Sequence, residues 1–143
     1  MTVYEIRDYV AQAQADPSTE NIEALWRAVF MLQAWYFLPS DNEEGPAYPT
    51  VSEIDGKPWL LAFTNVRRIK QFARQAGRDN PDGSVPMLVL NPGESMRKIL
   101  AVKEAIEGVV FNIDSPATFR APVEALEGYA QHFDVPVDRS GWG

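Results

Sequence analysis

The sequence predicts an α+β fold in which a mixed, largely antiparallel sheet of about five strands packs against four to five helices. An Asp-Gly pair lies between two apolar segments in the first half of the chain, a pattern typical of a β-hairpin. The first three predicted strands follow one another as a β-meander, and the later ones alternate with helices. Several strands are apolar on both faces, so both faces of the sheet need cover from helices or from a partner subunit.

Two helices are predicted at the start of the chain. Residues 2–15 show helical apolar spacing that ends at Pro17, so residues 1–17 are expected to form a peripheral N-terminal helix. A second helix begins at Ser18 or Thr19, either of which can cap it, and its apolar stripe predicts core packing. That stripe consists of Ile22, Leu25, Trp26, Val29 and Leu32.

A three-strand meander comes next in the prediction. Its first strand is Trp35 to Leu38, which Pro39 stops. Residues 50–54 and 57–63 form a hairpin around the turn Asp55-Gly56, whose geometry matches the twist of the strands. The third strand carries Trp59, Leu61 and Phe63 on one face, and Leu60 and Ala62 on the other.

Helices and strands alternate in the second half. Asn65 is predicted to cap a helix that runs to about Ala76 and turns Val66, Ile69, Phe72 and Ala73 inward. The later elements are a strand at 85–90, a helix after Pro92, a strand at 109–113, a short extended connection or edge strand at 114–122, and a helix from about Pro122 to Phe133. Residues 18–134 are thus predicted to form a single domain, followed by a loose tail at 135–143.

Composition excludes several function classes. The chain has 143 residues, no cysteine and one histidine, so it has no disulfides, thiolate chemistry or histidine-rich metal site. The absence of cysteine fits a reducing cytoplasm, and neither a signal peptide nor a membrane span is evident. A net charge of -7 disfavours general binding to nucleic acid or anionic lipid. Asp41, Glu43 and Glu44 lack the ordered ligand spacing of a calcium loop, so no metal or cofactor is expected.

The segment "LVLNPGES" predicts a buried strand that turns at Asn91 and Gly93 into a helix carrying Ser95. It lacks the second glycine of a Gly-x-Ser-x-Gly nucleophile elbow, and it does not match a phosphate-binding loop. Ser95, Asp114 and His132 follow the chain order of a hydrolase triad, an order that arises readily by chance. We therefore interpret this corner as a turn and a helix start, with no catalytic residues.

A basic stripe is predicted on the helix after Asn65. Its cations recur at three- and four-residue intervals and are Arg67, Lys70, Arg74 and Arg78, with Arg68 adjacent. On an acidic protein such a stripe is either a solvated face or a docking surface for an acidic partner. Nucleic-acid binding is less favoured because no aromatic residues interleave with the cations.

Four segments resemble the N-terminal domain of the SseB family. They are "ALWRAVFMLQAWYFLPS", "EIDGKPWLLAFTNVRRIKQFA", "VPMLVLN" and "EGVVFNIDSPATFRAPVEAL". The likeness spans about residues 24 to 127 and implies a small cytoplasmic α+β domain of a bacterial family with no established enzymatic activity. The larger members carry a second, C-terminal domain. Asn112 and Pro116 are the family-like positions to examine first.

The leading hypothesis is therefore a non-enzymatic, cytoplasmic interaction or regulatory domain that self-associates or binds an acidic protein. Its predicted interaction surface is the basic stripe. The alternative hypothesis is a small-ligand-binding or hydrolytic protein that uses two strand-end corners at one rim of the sheet. The residues of that alternative site are Asn91, Gly93, Ser95, Asn112 and Ser115.

Overall fold

The computed structural model describes residues 5–40 and 49–135, where five helices and six strands confirm the α+β class. The acidic residues Asp41, Glu43 and Glu44 and the tail from residue 136 lie outside the described residues. The elements are α1 (Ile6–Ala15), α2 (Thr19–Phe30), β1 (Trp35–Phe37), β2 (Val51–Ile54), β3 (Lys57–Ala62), α3 (Val66–Gln75), β4 (Leu88–Leu90), α4 (Pro92–Ala101), a 3₁₀ helix (Lys103–Ala105), β5 (Gly108–Phe111), β6 (Phe119–Pro122) and α5 (Val123–His132).

The strands form a four-stranded sheet, in the order β2-β3-β5-β6, and a two-stranded sheet of β1 and β4. The predicted hairpin joins β2 to β3, with Asp55 and Gly56 both at positive φ. The β3–β5 ladder is parallel, and the other ladders are antiparallel.

The predicted meander differs from the structure at its first strand, because β1 pairs with β4. Between β1 and β2 the pairing is reduced to an isolated bridge between Pro39 and Pro49. Neither proline has an N–H to donate, so a regular ladder cannot continue there. A second isolated bridge, between Tyr36 and Phe63, connects β1 to the end of β3.

Helices cover both faces of the four-stranded sheet, as the alternation along β3 predicts. Leu60 and Ala62 point into the larger core, which contains residues of α1, α2, α4 and α5. Trp59 and Leu61 point into a smaller core that α3 closes with Ile69 and Ala73.

Helix α1 packs against α2 and belongs to the larger core. Its Val10 is only 1% exposed, and Ile6 and Tyr9 lie partly buried beside it. This packing fixes the start of the described chain against the domain. In the described ranges, no helix is long and apolar enough to cross a membrane.

An ion pair joins α2 to α5, because Glu23 Oε1 lies 3.0 Å from His132 Nε2 and accepts a hydrogen bond of 3.1 Å from Arg27. The hydrogen bond with His132, together with the positive charges of His132 and Arg27, lowers the pKa of Glu23. A lowered carboxyl pKa stabilises the fold above the ordinary value of 4.5, and that contribution disappears as the pH falls through the folded-state value.

Glu23→Gln should therefore make the melting temperature less dependent on acid pH. In scans from about pH 6 to about pH 3, the wild-type melting temperature should fall more steeply than that of Glu23→Gln. Glu53→Gln is a matched control, because Glu53 is an exposed carboxylate that forms no salt bridge with any described residue. Parallel curves for wild type and Glu23→Gln would contradict the assigned contribution.

Candidate functional site

Helix α3 begins where the sequence predicts and presents its charged residues outward. The Asn65 side chain accepts a hydrogen bond of 2.8 Å from the backbone N–H of Arg68 and so caps the helix. Ile69 and Ala73 are fully buried beneath it. Val66, which was predicted to face inward, is 39% exposed at the first helical position. The core side of α3 is therefore narrow, and most of its surface faces solvent.

A concavity of about 730 Å³ runs along α3. We call it the α3 groove, and we define it by the cations Arg7, Arg67, Arg68, Lys70 and Arg74 together with Gln71, Gln75 and Pro116. Arg7 comes from α1, and Pro116 comes from the loop between β5 and β6. Three separate parts of the chain thus build one cationic groove on an acidic protein.

Four of the groove cations lie on α3. Arg67, Arg68, Lys70 and Arg74 form no salt bridge with any residue in the described ranges. Arg7 pairs with Glu5 at 3.2 Å, but both side chains are mostly exposed and such surface pairs are weak. The groove therefore carries a net positive charge.

Arg68 is partly buried where it lines the groove. Burial and, after it, the positive charges of Arg67 and Arg7 lower the pKa of its guanidinium, and the carboxylate of Glu5 opposes this shift. Arg67 and Arg68 also lie in the first turn of α3, which contains no acidic residue. The helix dipole is positive at that end and disfavours cations there. An anion bound in the groove offsets the repulsion among these arginines. It also offsets the unfavourable interaction of Arg67 and Arg68 with the helix dipole.

Arg78 lies apart from the other predicted cations of the stripe. It follows the end of α3, and its Nη2 atom donates a hydrogen bond of 2.7 Å to the carbonyl oxygen of Pro39. It does not line the α3 groove. Arg78 thus connects the end of α3 to the segment after β1, whereas Arg67, Lys70 and Arg74 share the groove.

The corner at Asn91 forms a helix start. The Asn91 side chain accepts a 2.8 Å hydrogen bond from the Glu94 N–H, and the Asn91 N–H donates to the Glu94 carboxylate at 3.1 Å. Ser95 is buried, and its hydroxyl donates to the carbonyl oxygen of Asn91 at 2.8 Å. Asn91 and Gly93 line a concavity of about 800 Å³, together with Phe30.

The corner at Asn112 is a buried polar connection. Asn112 is fully buried at φ 54, and its side chain accepts from the N–H of Thr64 and donates to the Thr64 hydroxyl, both at 3.0 Å. The Ser115 hydroxyl donates to the Asn112 carbonyl oxygen at 2.7 Å and accepts from the Ala117 N–H at 3.1 Å. These bonds hold the loop that carries Pro116.

The two predicted corners lie at the same rim of the sheets but not side by side. Leu90 pairs with Trp35 of β1, Tyr36 bridges to Phe63, and Asn112 follows the parallel strand β5. Strands β1 and β3 therefore separate the corners by three strand spacings, about 14 Å. The Asn112 corner instead shares a narrow crevice with Arg68 and Gln71 of α3.

Ser95 and His132, which follow the chain order of a hydrolase triad, contact different partners. The Ser95 hydroxyl donates to a backbone carbonyl on α4, whereas the ring of His132 contacts Glu23. In the ranges 5–40 and 49–135, no cluster of three or more acidic or histidine side chains forms a candidate metal site.

Sequence reasoning identified the α3 part of the groove and missed Arg7. The three- and four-residue spacing was the signal for Arg67, Lys70 and Arg74. No comparable signal exists for Arg7, because its place in the groove depends on how α1 packs against α2. The sequence also did not predict that Pro116 lines the groove, because this depends on how the β5–β6 loop folds.

A comparison with protein families supports the resemblance seen in the sequence. The model described as the SseB protein N-terminal domain matches residues 6–128. This range begins with α1 and ends within α5, so it includes every cation of the α3 groove. No curated protein matches the chain.

Proposed function

The chain belongs to the family of the SseB protein N-terminal domain, and from this membership we propose that it is a non-enzymatic interaction or regulatory domain. In this proposal the α3 groove binds an acidic segment of a partner protein. The observation that carries the proposal is the set of groove cations on α3 without a salt-bridge partner in the described chain.

Charge complementarity identifies the partner as acidic. Guanidinium groups donate paired hydrogen bonds to carboxylates, and four of the five groove cations are arginines. The remaining surface is predominantly acidic, since the chain as a whole carries a net charge of -7. An acidic segment is therefore attracted to the groove and repelled elsewhere, which favours one binding position.

The length of the groove fits an extended peptide. Arg67 and Arg74 are seven residues apart on α3, which places them about 10 Å from each other along the helix axis. Three residues of an extended chain span the same distance. Acidic side chains two or three positions apart in the partner can therefore meet both ends of the groove.

We propose no catalytic role for Ser95, the hydroxyl of the alternative site, because it is buried and donates to a backbone carbonyl. We place the protein in the cytoplasm, and the support for this compartment is the absence of cysteine. A second copy of the chain, with its net charge of -7, is one acidic protein to test as this partner. Self-association of this kind should weaken with added salt.

Charge reversal at Arg74 tests the docking surface. A fluorescein-labelled hexaglutamate peptide should bind the wild-type protein and should bind Arg74→Glu about tenfold more weakly, because an attraction becomes a repulsion. Fluorescence anisotropy measures both affinities. Lys103→Glu is the matched control, because it makes the same charge change at an exposed residue that does not line the groove.

Equal weakening by both variants would show a general charge effect and would contradict the proposed groove. Retention on heparin to high salt, together with displacement of the peptide by a single-stranded oligonucleotide, would favour a nucleic-acid ligand instead. Early elution from heparin and peptide binding that is weakened about tenfold only in Arg74→Glu would support the acidic partner.

A further inference from the structure

The cations of the α3 groove are not spread evenly along it. Arg67 and Arg68 lie in the first turn of α3, and Arg7 of α1 lines the same groove near enough that Arg7, Arg67 and Glu5 all act on Arg68. Lys70 follows one turn after Arg67, and Arg74 lies one turn further, near the end of the helix. The groove thus has a crowded end with three guanidinium groups and a sparser end at Arg74.

We propose that the preferred occupant is a phosphorylated segment of the partner protein, an inference that rests on the proposed function. Its phosphate lies at the crowded end, between Arg7, Arg67 and Arg68. An acidic residue about three positions away in the segment meets Arg74 at the other end, and Lys70 lies between the two contacts.

The chemistry of the crowded end favours a phosphate over a carboxylate. A phosphorylated side chain carries a charge of about -1.5 to -2 on three oxygens, so one group can accept hydrogen bonds from several guanidiniums. A carboxylate carries a single charge on two oxygens and neutralises fewer of them. The positive end of the α3 dipole adds to the preference for the more highly charged anion.

The carboxylate of Glu5 competes with a bound phosphate for Arg7. This carboxylate is 3.2 Å from Arg7, and both side chains are more than half exposed. A phosphate has the greater charge and also contacts Arg67 and Arg68, so it can displace Glu5 from this weak pair. This displacement breaks an exposed ion pair at the start of α1 and leaves the buried Val10 in place.

Three labelled peptides test this inference against the wild-type protein. Each has a glutamate three residues before and three residues after its centre, and the central residue is phosphoserine, glutamate or serine. Fluorescence anisotropy should show the phosphoserine peptide binding about tenfold more tightly than the glutamate peptide, and the serine peptide binding most weakly.

Two variants locate the phosphate. Arg68→Gln and Arg7→Gln should each reduce the preference for phosphoserine over glutamate to about threefold or less. Arg7 is exposed, so its variant keeps the test valid if Arg68→Gln folds poorly. Lys103→Gln, which removes one positive charge away from the groove, should leave the preference unchanged.

The outcomes separate this inference from the proposed function. Equal affinity for the phosphoserine and glutamate peptides would overturn the inference and leave an acidic partner in place. A preference that survives in both arginine variants would overturn the assigned position of the phosphate. Failure of all three peptides to bind would overturn the inference and the proposed function together, as would tighter competition by a single-stranded oligonucleotide.

Discussion

Gly108→Ala is expected to destabilise the fold by about 3 kcal/mol, because no space exists for a methyl group at this position. Gly108 begins β5 and lies between Trp59 of β3 and Pro122 of β6. A Cβ atom would lie 2.7 Å from a ring carbon of Trp59 and 2.7 Å from the Cα of Pro122, and it would also collide with the carbonyl oxygen of Ala121. Two of these neighbours are backbone atoms, which cannot rotate away.

Gly128→Ala is the matched control for this prediction. Gly128 lies within α5, and a Cβ there meets no atom within 4 Å. Alanine is a better helix former than glycine, so this variant should be about 1 kcal/mol more stable than wild type. Urea unfolding measures both changes. A loss of less than about 1 kcal/mol in Gly108→Ala would contradict the packing described around β5.

Asn112→Ala is expected to destabilise the fold by about 3 to 4 kcal/mol. The variant leaves the buried Thr64 N–H without its acceptor, which costs about 1 to 3 kcal/mol. It also places an alanine at φ 54, a left-handed conformation that costs about 1 kcal/mol or more outside glycine and asparagine. The one substitution removes the hydrogen bond and strains the backbone, so it incurs both costs.

Asn112→Gly separates the two contributions. Glycine accepts the positive φ without strain but makes none of the side-chain hydrogen bonds. Its loss of stability in urea unfolding should therefore be smaller than that of Asn112→Ala, by about 1 kcal/mol. Equal losses in the two variants would mean that backbone strain at Asn112 contributes nothing.

Local patterns predicted those parts of the fold that depend on neighbouring residues. The Asp55-Gly56 turn was predictable because few residue pairs accept two successive positive φ values, and both residues have them. Asn65 was predictable as a helix cap because its side chain needs only the backbone three residues ahead. The alternation of Leu60 and Leu61 between two cores follows from the period of a strand.

Long-range contacts explain what the sequence did not predict. β1 is a three-residue strand, and its pairing with β4 joins segments about fifty residues apart in the chain. Regular pairing between β1 and β2 ends because Pro39 lies opposite Pro49. No local pattern predicts that these two prolines meet. Arg7 joins the groove only because α1 packs against α2. Similarly, the neighbour of the Asn112 corner is α3 and not the Asn91 corner.

The buried connection at Asn112 and the groove are linked by the β5–β6 loop. Asn112 and Ser115 hold this loop through hydrogen bonds, and Pro116 of the same loop lines the α3 groove. Asn112 and Ser115, two of the five residues predicted for a small-ligand site, thus hold the loop that forms one wall of the proposed docking site. Asn91, Gly93 and Ser95 lie at the start of α4, away from this groove.

The central claim is that the α3 groove is where this domain binds an acidic partner, and amide chemical-shift mapping tests it most directly. Titration of ¹⁵N-labelled protein with hexaglutamate should shift the amides of Arg7, of α3 and of Ala117, and these shifts should saturate. Arg74→Glu should need about tenfold more peptide to reach the same shifts. Shifts centred on Asn91 and Glu94, or no saturable shifts at all, would contradict the claim.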